Sequence, residues 1–312
     1  MSSTGKGVRQ QFSETMLAVG QEDPNLIVLV SDISHFRLQP FAKACPGRYY
    51  NIGICEPTIM SMSAGLSRMG YHPVVHTIAP FLIERSFEQI KLDFCYQKLG
   101  GNLVSVGSAF DYSNLGCTHH CYGDFALIKT LPGAQITYPA SGVEFDTLFR
   151  QVYNNEYLTL FRIPEHPHEV EFKAQDIRFG KGIRVVEGKN LTIVATGPQL
   201  GNAMAARDGL KTSGWDAEVI YIHTIRPLDT ELIRASIRKT KAAIVIEEHM
   251  QSGGLGDEVL RATRDIPEVQ YSSLSIPDKF ITEYGSYQDH CERLGLTKEG
   301  IVSRVKEEFG SK

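Results

Sequence analysis

Short apolar runs alternate with stretches of helical periodicity along nearly the whole chain, and that alternation leaves few architectures open. Runs at 26–30, 73–77, 103–106, 135–138 and 158–161 read as strands, and so do 191–195, 217–222, 242–247 and 269–272 further on. Between them fall helical patterns that start at Glu56 and at 81–96, 123–130, 143–153, 202–212, 230–239 and 256–263. Ile83, Phe87, Ile90 and Phe94 mark one face of the long 81–96 segment, and Asp229 is placed to cap the helix that follows it. The expected class is α/β, built as layers of helices around mainly parallel sheets.

The alternation is interrupted once, by Pro164-Glu165-His166-Pro167-His168-Glu169. Two prolines among polar residues read as a crossing between domains. A length of 312 residues suits two cores better than one. The division expected is a first domain over 1–165, a linker over 166–183 and a second domain over 184–312.

With 42% apolar and 22% charged residues, the chain has ordinary globular composition, which sets aside disordered and fibrous classes. A net charge of −4 without a basic stripe argues against nucleic acid as a partner. The first residues lack an apolar signal core and no apolar run is long enough to span a bilayer, so the expectation is a cytoplasmic protein with no membrane partner. The six cysteines form no small-domain disulfide framework. Cys117-Thr118-His119-His120-Cys121 offers metal-ligand types, but no second pair completes a tetrahedral set, so no metal is assigned. Gly197-Pro198-Gln199-Leu200-Gly201 follows a strand, yet it lacks the glycine order of a dinucleotide loop and reads as a tight turn.

The chemistry concentrates at Asn51-Ile52-Gly53-Ile54-Cys55-Glu56-Pro57. Glu56 opens a helix on which Ile59, Met62, Leu66 and Met69 form the expected inner stripe, while Ser61, Ser63, Ala64, Gly65 and Ser67 keep it slim. A slim helix lies close to its neighbour, and a carboxylate shielded at its mouth can hold or pass a proton near neutral pH. His119 lies between a strand and a helix, where α/β sheets place ligand sites.

These segments resemble the transketolase and deoxyxylulose-phosphate synthase superfamily of thiamine-diphosphate enzymes. The Gly53-Ile54-Cys55-Glu56 block is similar to the family's Gly-Ile-x-Glu segment, in which the Glu hydrogen-bonds the cofactor's aminopyrimidine N1′ and drives its tautomerisation. Gly116-Cys117-Thr118-His119 resembles the loop whose His contacts the reacting substrate. The segment from Ile78 through Phe81 and Arg85 to Gln89 looks like the one that supplies an aromatic stacking partner to the pyrimidine. Arg162 matches an arginine used for a sugar phosphate. Thr224-Ile225-Arg226-Pro227-Leu228-Asp229, Glu247-Glu248-His249, Gly253-Gly254-Leu255-Gly256 and Leu294-Gly295-Leu296-Thr297 look like the family's C-terminal domain, with Glu248 and His249 given no catalytic role.

The resemblance implies a pyrimidine-binding domain followed by a transketolase C-terminal domain, with Glu56 and His119 catalytic, Glu56, Phe81 and Ile78 holding cofactor, and His119, Leu115 and Arg162 facing substrate. The Gly-Asp-Gly motif of the diphosphate domain is missing: Gly123-Asp124-Phe125 and Gly256-Asp257-Glu258 each lack the second glycine. Mg2+ and the diphosphate would therefore be held by a separate subunit, in a heterotetramer that moves a two-carbon ketol or acyl unit from a ketose or 2-oxo acid to an acceptor. The chain departs from the pattern at Leu115, where relatives carry an Asp, at Gly107, where transketolases have a His, and at Ile78, where an aromatic wall is common. A β subunit of a 2-oxo-acid dehydrogenase E1 component, to which Leu131-Pro132-Gly133 is similar, and a non-catalytic scaffold subunit remain the alternatives.

Overall fold

The structure is a computed structural model that describes residues 7–310. In the first half, strands β1 (Leu26–Val30), β2 (Tyr49–Asn51), β3 (His72–Ile78), β4 (Gly101–Val106), β5 (Gln135–Thr137) and β6 (Leu158–Ile163) are parallel to one another. They are flanked by α1 (Val8–Glu22), α2 (His35–Ala44), α3 (Glu56–Arg68), α4 (Ala79–Ile83), α5 (Phe87–Gln89), α6 (Asp124–Lys129) and α7 (Gly142–Val152). The second half contains β7 (Ile183–Val186), β8 (Leu191–Ala195), β9 (Ala217–Tyr221), β10 (Thr224–Arg226), β11 (Ala242–Met250) and β12 (Gln270–Ile276). Its helices are α8 (Gln199–Lys211), α9 (Thr230–Thr240), α10 (Leu255–Thr263), α11 (Tyr287–Leu294) and α12 (Lys298–Phe309).

Two sheets result. The second has the order β12-β11-β8-β9-β7, parallel except for β7. The first has the order β10-β5-β6-β4-β3-β1-β2, so its edge strand β10 comes from the second half of the chain and runs antiparallel to β5. The central strands are buried along their whole length, as β1 is with Leu-Ile-Val-Leu-Val, because helices cover both faces of a parallel sheet. This is the α/β architecture expected, with the two halves locked together by an exchanged strand.

Two expectations need correction. The buried stripe of α3 is Ile59, Met60, Ser63 and Ala64, whereas Met62 and Met69 are exposed. The small residues are themselves the packing face, which rotates the stripe and turns the larger methionines outward. The 81–96 segment is not one helix: α4 ends at Ile83, a turn follows, and α5 passes into a π-helix over Ile90–Cys95. Ser86 Oγ donates to the Phe81 carbonyl at 3.3 Å, a local bond that competes with helix propagation. In the expected linker region, residues 164–182 hold no strand and pack closely against both halves. His168 is buried and bonds Glu144, Phe172 stacks on Tyr221 at 5.5 Å, and Ile177 is buried. Asp229 caps α9 as expected, accepting from the Leu232 amide.

Candidate functional site

The segments that follow β1, β2, β3 and β4 meet at the carboxyl end of the first sheet, where the backbone turns away and side chains from separate loops converge. Glu56 enters from the end of β2 as the first residue of α3 and is only 2% exposed. Gly53, at φ +78°, sharpens the turn before it, a backbone conformation that favours glycine. Two groups meet its carboxylate. Arg85 Nη1 donates to Oε2 at 2.9 Å, and Ser31 Oγ, just past β1, lies 2.9 Å from Oε1. The same hydroxyl lies 2.9 Å from the Gly53 carbonyl, so its single proton serves one acceptor at a time.

Phe81 opens the site's far wall. It stands one turn before Arg85, whose guanidinium lies 4.1 Å from the ring centroid. The His119 ring meets Phe81 edge-on at 5.3 Å and Tyr112 at 6.2 Å, and Thr118 Oγ1 lies 3.0 Å from its Nδ1. Ile78, partly buried, ends β3 three residues before Phe81 and packs against the core formed by α1, α2 and α7. Glu56, Arg85, Phe81 and His119 are thus linked in one chain of contacts.

Gly107 has a structural explanation. Its φ is +74°, and a Cβ there would run into the Tyr112 ring, which occupies the space beside His119. Leu115 lies on the short turn Ser113–Leu115 and is 51% exposed, so it faces open space. His120 points the other way, into the joint between the halves, 5.7 Å from the His290 ring. Burial, with His290 and His119 beside it, pushes its ring down to about 4.

Arg162 is not part of this cluster. It is fully buried, its Nε is 3.0 Å from Asp124 Oδ2, and its Nη2 donates to the Glu248 carbonyl at 2.9 Å. The Phe125 and Tyr138 rings, edge to face with centroids 5.8 Å apart, each lie 4.5 Å from its guanidinium carbon. No face of the guanidinium is turned to solvent. Glu248 lies in the same joint, bonded by Tyr138, Gln199 and Tyr287, and His249 stacks on Phe125 at 5.0 Å.

Two contributors escaped the sequence reading. Arg85 carries a signal, since it lies four residues after Phe81 and so shares its side of a helical turn. Ser31 carries none, because its bond to Glu56 spans 25 residues and depends on β1 lying beside β2. Among the described residues, no group of three or more His, Cys, Asp or Glu side chains is placed to hold a metal ion. No helix among them is long and apolar enough to cross a membrane.

Residues 5–167 match the family described as "Transketolase, pyrimidine binding domain", and residues 180–301 match "Transketolase, C-terminal domain". The chain is 30% identical to one of the subunits of the apulose-4-phosphate transketolase of Phocaeicola vulgatus, across 96% of each chain. It is 28% identical to a putative transketolase C-terminal section of Methanocaldococcus jannaschii, across 99% of this chain and 98% of that one. Against the 1-deoxy-D-xylulose-5-phosphate synthase of Heliobacterium modesticaldum, 30% identity spans 96% of this chain but 46% of the other. Among solved structures, one described as "Split gene transketolase, inactive beta4 tetramer" superposes with a TM-score of 0.87 at 30% identity, covering 99% of both chains.

Proposed function

This chain belongs to the transketolase family, and from that premise we propose that it is the pyrimidine-binding subunit of a split, thiamine-diphosphate-dependent transferase. The observation that carries the reading is the buried Glu56 carboxylate, oriented by Ser31 and set beside the Arg85–Phe81–His119 wall. Its residue types fit an aminopyrimidine ring: a carboxylate for a ring nitrogen, an aromatic face in Phe81, and an aliphatic wall in Ile78. Bound there, thiamine diphosphate supplies the nucleophilic carbon and the electron sink that carry a two-carbon unit.

The protein's own task is proton handling and orientation. Glu56 holds a proton at the pyrimidine nitrogen, and Ser31 suits either charge state. Its hydroxyl donates to the carboxylate, or turns to the Gly53 carbonyl and accepts from the carboxylic acid. Arg85, half-exposed, is free to swing away when a ring takes its place over Phe81. His119, half-buried on the same wall, is placed to move a proton on a substrate oxygen.

A separate subunit is required in this reading, since Mg2+ and the diphosphate have no Gly-Asp-Gly loop here. Exposed apolar residues around the Glu56 mouth support it. Ile54 (69% exposed) precedes the helix, Met62 and Leu92 lie on α3 and the π-helix, which Ser61 and Asp93 join at 2.6 Å, and Met69 and Tyr96 (82% exposed) follow directly after them. An apolar face of this kind beside a site is an interface in waiting. The solved relative described as inactive is a tetramer of one kind of chain, which accords with partner dependence. The expected assembly is a heterotetramer. The isolated chain should show no turnover and only weak cofactor binding, and titration with a Gly-Asp-Gly subunit should restore both. Micromolar cofactor binding and full turnover by the chain alone would sink the proposal.

Donor choice follows from the same wall. Leu115 offers no hydrogen bond to a sugar hydroxyl, and Tyr112 stands where Gly107 leaves room. We expect a small 2-oxo acid donor or a non-sugar acceptor to outcompete a ketose phosphate and aldose phosphate pair. Contact with Leu115 contributes up to about 1.5–3 kcal/mol if it becomes fully buried. Competing donors in one vessel, with products resolved by mass spectrometry, decide it. A wide margin for xylulose 5-phosphate would restore ordinary transketolase specificity.

A further inference from the structure

A second cavity, of about 210 Å³, opens at the free edge of the second sheet, beyond the carboxyl end of β12. Gln251, Ser273, Ser275, Lys279, Arg293 and Arg304 supply its polar lining. No Asp or Glu lines it, and the carboxylates nearby are Glu308, paired with Arg304 at 3.2 Å, and Asp289 and Glu283, in the field of Arg293. The local sequence explains the lining. Strand β12 alternates strictly, burying Ser272, Leu274 and Ile276 and turning Ser273 and Ser275 to the other face. Lys279 follows in the loop after the strand, Arg293 comes from the last turn of α11, and Arg304 from α12. Three cations around two hydroxyls, in a chain of net charge −4, run against the average composition of the surface.

We propose that this cavity is a binding site for a phosphate group, either the free ion or a small phosphate monoester. Two guanidiniums and an ammonium match the charge and bidentate geometry of phosphate, and serine hydroxyls complete its oxygen shell. The volume is below the roughly 300 Å³ at which sites for larger ligands begin, which favours a small anion over a nucleotide. Each arginine keeps donors for a ligand: Arg293 uses Nη1 on the Tyr284 carbonyl at 3.1 Å, and Arg304 uses Nη1 on Glu308 at 3.2 Å. The site is also connected. The loop that carries Lys279 continues to Tyr284, whose ring covers Gly116 at the base of the His119 loop, and the Ile281 amide donates to Tyr122 Oη at 3.3 Å. An anion held by Lys279 and Arg293 therefore tightens the segment that backs the substrate loop.

The test is calorimetric titration of the full chain with inorganic phosphate and with glycerol 3-phosphate, followed by hydrogen exchange in each bound state. Saturable binding is expected, weakened at least about tenfold by Arg293→Gln or Arg304→Gln and unchanged by Arg85→Gln, which removes the cation of the Glu56 site. Lys279→Gln, on an exposed side chain, gives the same direction without risk to folding. Exchange should slow across 273–285. Tighter binding of glycerol 3-phosphate identifies a monoester as the ligand, and equal binding identifies the free ion. The proposal is overturned by the absence of saturable binding, by binding that survives all three substitutions, or by binding lost in Arg85→Gln.

Discussion

Glu56 shares its carboxylate between a fixed partner and a movable one, and that division separates positioning from chemistry. Ser31 is anchored just past strand β1, while Arg85 reaches in from the turn after α4 with part of its side chain in solvent. Glu56→Gln keeps the shape but loses the proton site. In the reconstituted enzyme, hydrogen exchange at the reactive cofactor carbon should fall by about 10²–10⁴-fold, with assembly unchanged. Unaltered exchange would remove Glu56 from the mechanism. Arg162 poses the opposite case, a charge whose partners are all internal. Asp124→Asn strands a buried guanidinium and is expected to cost about 3–5 kcal/mol in denaturant unfolding. Replacing both by apolar residues, as in Arg162→Met with Asp124→Leu, should recover most of that loss. A double variant that folds well yet binds a phosphorylated donor poorly would return Arg162 to the substrate.

At the scale of elements, the turns decide how close the pieces approach. Gly197 follows β8 with φ +59°, and a Cβ there would collide with the Tyr138 ring at the joint between the halves. Gly197→Ala therefore meets both backbone strain and overpacking, and should destabilise by more than about 1 kcal/mol. The midpoint in denaturant should move while its slope stays constant, and a shift within error would show that Tyr138 gives way without cost. Helix α3 shows a related trade-off: Ser63 and Ala64 bring it against the sheet, which leaves Met62, and Met69 just past its end, exposed. The turn after α4 carries Arg85 to the Glu56 carboxylate and over the Phe81 ring, so an uninterrupted helix is not what the site uses.

For the whole molecule, the joint is the unit that holds the two sheets in register. Strand β10 pairs with β5, Tyr221 Oη donates to Glu144 at 2.7 Å, and the Met250 amide donates to the Tyr122 carbonyl at 2.8 Å. His249 sits at its centre. Its Nε2 accepts from the Ala126 amide at 3.3 Å, a bond open only to the neutral ring. Burial, aided by the nearby Arg162 guanidinium, pushes the ring down to about 3. An unfolded histidine titrates near 6.5, so between about pH 6.5 and 3 the unfolded state binds the extra proton. Stability from this ring is full above that window and is lost on acidification, at up to about 1.4 kcal/mol per pH unit. His249→Phe keeps the stacking on Phe125 and removes the titration. The stability of the variant minus that of the parent should rise toward acid, and a flat difference between pH 6.5 and 4 would exclude the ring as an acid-labile element.

What the sequence alone determined was local. Alternating apolar runs place β1 and β8 residue for residue, because burial on both faces writes itself into five consecutive side chains. Gly53, Glu56 and Phe81 were legible as motifs that follow a strand end within a few residues, and the His119 loop was legible through its resemblance to the family's Gly-x-Thr-His loop. Tertiary structure alone decided which of these residues meet. It brought Ser31 and Arg85 to one carboxylate, and it filled the space at Gly107 with Tyr112. It also closed Arg162 against Asp124 and two rings, a burial that its place near a strand end does not reveal. The physical reason is reach. Periodicity reports which side of an element is buried, but a strand exchanged between halves, such as β10, depends on contacts across roughly ninety residues that no local pattern encodes.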